Sequence, residues 1–182
     1  MNSQSMSSIF RDPVRLADYF AEIELTPIGR SQFNSALPTP DQVARWSITD
    51  DEMKRCETEM VVLGAVGIIV TVMKNKPFDF YEKFIRQFAS RLSMQLFGRY
   101  GLGKNEELIK IIEKYIEDLE VSMVEFSHTY AHRVFGGNPH VVSMIVEDMW
   151  KPAFDVAIET MRKSREFFVS CMAELISKRN SA

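Results

Sequence analysis

From Thr49 onward, apolar residues recur at intervals of three and four, and strict alternation of apolar and polar positions is missing. That rhythm predicts helices nearly throughout, since 3.6 residues per turn brings such positions onto one face. A short first helix is expected over about 12–23. Asp12 precedes Pro13 there, a capping acid followed by a residue suited to the first helical position. Residues 26–40 hold three prolines, a glycine and several small polar residues, and read as a connector. Thr39-Pro40-Asp41 starts a helical turn that ends near Trp46. Thr49-Asp50-Asp51-Glu52 has the spacing of a capping box and opens a helix to about Lys74.

Lys76-Pro77 breaks that helix, and an aromatic-rich one follows over about 77–97, with Gly98 as its stop. Asn105 caps a fourth long helix, expected as one piece over 105–135. Its apolar stripe is Leu108, Ile112, Tyr115, Ile116, Leu119, Met123, Phe126 and Tyr130, and Gly136-Gly137 ends it. Asn138-Pro139 restarts a helical pattern that continues to about Lys178, with a kink or break expected near Lys151 because Pro152 lacks an amide. The N-terminal ten residues, polar and without an apolar segment, read as a loose tail rather than a signal peptide. The expected architecture is therefore all-α: a tail over 1–10 and one domain over 11–182, a bundle of about five to six helices with the last one kinked or broken at Pro152.

Composition narrows the class of protein. The chain of 182 residues is 46% apolar, enough for a core without disulfides or a structural metal. A formal net charge of −3 argues against a general nucleic-acid binder, which needs a basic face to displace counterions. The two cysteines, Cys56 and Cys171, lie far apart inside apolar helical stretches and are expected to be reduced, buried and inert, which suits a cytoplasmic protein. Met60 to Met73 carries no charge. At 14 residues this run is too short to span a membrane by itself and reads as the central helix of the bundle, with Gly64 and Gly67 allowing a neighbour to approach closely.

Four features bear on chemistry. Glu125 and His128 stand three apart, with His132 one turn on, and such spacing can hold a metal, as in half of the ferritin-like di-iron signature. The second half is missing, because Thr129 and Gly137 precede His132 and His140 by three, and the imidazoles fall opposite the apolar stripe. They therefore read as surface histidines. Val121, Val124 and Phe135 share that outer side, so this helix is expected to be covered on a second face, by the N-terminal segment or by another chain.

Gly98 to Lys104 fits Gly-x4-Gly-Lys, but Asn105 replaces the magnesium-binding hydroxyl and no strand precedes it. A weaker reading keeps Arg99, Gly101, Gly103 and Lys104 as an anion-binding turn at a helix start. Residues 104–125 carry seven acids against three lysines, and Arg162, Lys163 and Arg165 cluster on the last helix. Both runs read as solvated faces available for pairing. Finally, Phe78 and Tyr81 open the aromatic helix and are candidates for a groove or an interface.

The expected function is a non-enzymatic helical protein-interaction or regulatory protein, one that binds a protein partner or itself, a homodimer included, with neither nucleic acid nor membrane as partner. Two alternatives stand beside it. One is a metal-dependent helical enzyme, ferritin-like or haem-oxygenase-like, using Glu125, His128 and His132. The other is a carrier of a small apolar ligand or cofactor between helices, with the aromatic helix lining the pocket.

Overall fold

The computed structural model describes residues 6–24, 36–100, 105–136 and 150–180. Every regular element among them is helical. In chain order these are α1 (Met6–Arg11), α2 (Pro13–Tyr19) continued by a π-helical turn (Phe20–Glu24), α3 (Pro40–Trp46), α4 (Asp50–Asn75), α5 (Phe78–Tyr100), α6 (Asn105–Val121), α7 (Met123–Phe135) and α8 (Trp150–Asn180). The all-α expectation holds. The described residues contain eight α-helices rather than five to six, because short N-terminal helices and a division of the fourth long helix add to the number.

The local signals explain most helix starts. The Asp12 carboxylate accepts from the Val14 and Arg15 amides at 2.9 and 3.2 Å. Thr39 and Gln42 form a reciprocal capping box, as do Thr49 and Glu52, each pair satisfying two amides that the first turn leaves open. Lys76, in extended conformation, ends α4.

α4 is the central element. Every residue from Cys56 to Val72 except Glu57 is buried, including Leu63, Val66, Ile68 and Ile69 with no exposed surface. It is the one helix among the described residues long and apolar enough to cross a membrane, and 89% of its apolar window is enclosed by its neighbours. Among the described residues, α8 packs along it more extensively than any other pair of helices packs. The approach depends on Gly67: a methyl group there would stand 2.4 Å from the Ala157 carbonyl oxygen and 2.7 Å from the Met161 amide nitrogen. Thr71 seals the seam, its hydroxyl donating to the carbonyls of Gly67 (3.0 Å) and Met161 (3.3 Å).

α5, α6 and α7 cover the rest of α4. The stacked rings of Phe84 and Phe88, 5.3 Å apart, are wholly buried in the core. Phe126 joins α7 to α6 and α8 through Tyr115 (5.2 Å) and Phe154 (5.5 Å).

Several expectations are corrected. The loose tail does not extend over all of 1–10: Met6–Arg11 is helical, and Phe10 is buried edge-on against Phe168 at 4.9 Å. The Lys76 ammonium holds it there, donating to the Phe10 carbonyl at 2.7 Å and lying 3.2 Å from the centre of its ring. A polar segment with one aromatic anchor thus gains a tertiary partner that composition does not reveal.

Gly98 does not stop α5, which continues to Tyr100. A single glycine costs only about 1 kcal/mol inside a helix. The helix expected over 105–135 is divided at Ser122. Pro152 is accommodated within α8, which runs on past it to Asn180. The helical stretch expected just before it lies outside the described residues, as do residues 1–5 and most of the 26–40 connector.

Candidate functional site

The division at Ser122 builds a groove on the surface. Ser122 takes an extended conformation and its hydroxyl accepts from the Glu125 amide at 3.2 Å, capping α7. One residue of joint folds α7 back against α6. Lys110, Ile111 and Lys114 of α6 then face Glu125, His128, Thr129, His132 and Arg133 of α7 across a groove of about 540 Å³. Ser122-x-x-Glu125 is a capping signature present in the sequence. The apolar stripe crossing it concealed the break.

Behind the groove lies a buried polar cluster. Glu59 of α4 is 3% exposed. Its carboxylate accepts from the Tyr115 hydroxyl at 2.6 Å, from Arg133 Nη2 at 3.0 Å and closely from Arg133 Nε. Burial opposes the charge on Arg133, but the Glu59 carboxylate outweighs it and the guanidinium is held more firmly protonated than usual. Burial, reinforced by Glu59, pushes the Tyr115 phenol well above its ordinary range. One turn back on α4, burial lifts the Cys56 thiol to about 12, and the Tyr130 hydroxyl contacts its sulfur at 3.9 Å. Arg55 Nε closes the cluster by donating to the Val134 carbonyl at 2.8 Å.

A second buried carboxylate serves the α6 wall. Asp118, 2% exposed, accepts from Lys114 Nζ at 2.6 Å, which raises the lysine's pKa. So the acidic run over 104–125 is not uniformly solvated. Its Asp118 faces inward, with its other oxygen lacking a hydrogen-bond partner among the described residues.

The predicted residues are distributed unevenly. Glu125, His128 and His132 all line the groove and all are exposed. They do not converge: among the described residues, no three acidic, histidine or cysteine side chains are placed to hold a metal ion. Val121 and Val124 are exposed, at 72% and 57%, on either side of the joint. Phe135 is not on their face. It is fully buried: the break at Ser122 resets the phase and brings Phe135 to the inward side that Phe126 and Tyr130 also hold. Phe78 is exposed and Tyr81 half-buried against the core. Gly101, Gly103 and Lys104 of the candidate anion turn lie outside the described residues, and of Arg99 only its helical backbone is described.

The two cysteines are free and buried. The basic cluster on α8 is largely neutralised within its own helix: Arg162 pairs with Glu159 at 2.7 Å and with Glu166, and Lys163 lies 3.9 Å from Glu159.

Residues that sequence reasoning missed are Glu59, Lys110, Lys114, Thr129 and Arg133. A signal existed for Glu59. It shares a helical face with Cys56 and Leu63, a charge standing at a core position.

Compared with protein-family models, with curated proteins and with solved structures, the chain matches none.

Proposed function

We propose that this chain is a non-enzymatic helical interaction protein that docks an amphipathic helix, from a second copy or from another protein, along the outer face of α8. The observation that carries this reading is an apolar stripe left open on that helix. Val169, Met172 and Ile176, spaced by three and four, are 63%, 48% and 57% exposed; Ile158 lies on the same face, separated from them by Arg162 and Arg165. Residues at such spacing form one continuous strip, and strips of this kind are what helix-in-groove and helix-pairing interfaces use. The other side of this half of α8 is occupied: Phe168 packs on Phe10, and Cys171 lies against Met6. Arg162, at the N-terminal end of the strip, pairs with Glu159 and Glu166 at its side, a charged group suited to setting the register of a partner.

The test is light scattering after size exclusion, with a partner capture in parallel, on the wild type and on Val169→Glu/Ile176→Glu. The expected result is an assembly formed by the wild type and lost in the variant, with helix content unchanged. A wild type that stays monomeric and retains no protein through this strip overturns the reading.

A further inference from the structure

We propose that the α6–α7 groove binds a small molecule carrying an oxyanion, a carboxylate or a phosphate, on a short apolar body. Its volume of about 540 Å³ suits a small ligand. Two of its cations are fixed from behind. Arg133 commits Nε and Nη2 to buried Glu59, and Lys114 is tied to buried Asp118. Both countercharges lie beneath the wall, while 27% of the Arg133 side chain and 54% of the Lys114 side chain stay accessible. A ligand therefore meets cations whose positions are already set, which lowers the ordering cost of binding.

Lys110 adds a third cation and makes no ion pair among the described residues. The Thr129 hydroxyl and the imidazoles of His128 and His132 offer donors along the α7 wall, and Ile111 offers an apolar contact. Glu125 is the single acid on the lining. It opposes an anion and so provides a control of opposite sign.

The experiment titrates the full chain with phenyl phosphate, benzoate and inorganic phosphate at constant ionic strength, following histidine ring signals by NMR. The chain has three histidines, two of them on this groove, so the readout is local. Saturable shifts at His128 and His132 are expected with phenyl phosphate or benzoate, and which of the two binds more tightly identifies the oxyanion. Lys110→Gln is expected to weaken binding about fivefold and Glu125→Gln to tighten it by a similar factor, the effect of about 1 kcal/mol for one nearby surface charge. Both side chains are exposed, so neither change disturbs the core, and circular dichroism checks this. The proposal fails if no probe gives saturable shifts, if both variants bind as the wild type does, or if only an acidic peptide binds.

Discussion

Gly67 and Ala157 meet backbone to backbone where α4 crosses α8: a methyl group on Gly67 would stand 2.4 Å from the Ala157 carbonyl oxygen. The obstacle is main chain on both sides, so no rotamer change relieves it. Gly67→Ala is therefore expected to force the two helices apart and destabilise the fold by about 1–3 kcal/mol, although alanine is the better helix former. Urea denaturation followed by circular dichroism measures it. A variant as stable as the wild type would show that α4 and α8 do not pack so closely.

The Glu59–Arg133 pair makes a different demand. Removing the carboxylate leaves a largely buried guanidinium without its countercharge, so Glu59→Leu is expected to cost about 3–5 kcal/mol. Combining it with Arg133→Met removes both charges and should recover much of that loss. A double-mutant cycle in urea reads the coupling, and strictly additive losses would contradict a paired, buried geometry.

Tyr115 carries a pH signature. Burial raises its pKa in the folded chain above the value near 10 that an unfolded chain shows. Above pH 10 the unfolded state gives up this proton while the native state keeps it, so stability is complete below pH 10 and falls as pH rises. The slope approaches about 1.4 kcal/mol per pH unit for this group. Lys76 works in the opposite sense between its lowered value of about 8 and 10.5, burial having disfavoured its charge. That contribution is common to wild type and Tyr115→Phe and cancels in their difference. The gap between the two proteins is expected to narrow from pH 9 to 11, and a constant gap would count against a buried, protonated phenol.

Cys56 is expected to resist alkylation in the folded chain at pH 8. Its thiol is lifted to about 12 and is wholly covered, and the thiolate is the reactive species. Mass spectrometry after iodoacetamide, with and without denaturant, checks this. Rapid native labelling would mean that the Cys56–Tyr130 region opens.

Ser122→Ala removes the α7 cap and is expected to cost about 0.5–2 kcal/mol. Because the same residue folds α7 onto α6, the groove should loosen too, visible as faster amide exchange at Glu125 and Phe126. Unchanged exchange there would separate the cap from the fold-back.

The amino-acid sequence by itself determined the helical class, the capped starts at Asp12, Thr39 and Thr49, the burial of Met60–Val72 and the outward placement of His128 and His132. Each follows from interactions within a few residues or from the period of a helix. Tertiary structure alone decided which helices turn back and which charges go inside. α7 folds back at Ser122 with a new phase that buries Phe135 beside Phe126 and Tyr130, an advantage that exists only once α4 and α6 are present to receive them. Glu59 and Arg133, 74 residues apart, are tolerated inside only because each is the other's partner. A pattern read along one helix contains no information about a charge supplied by another.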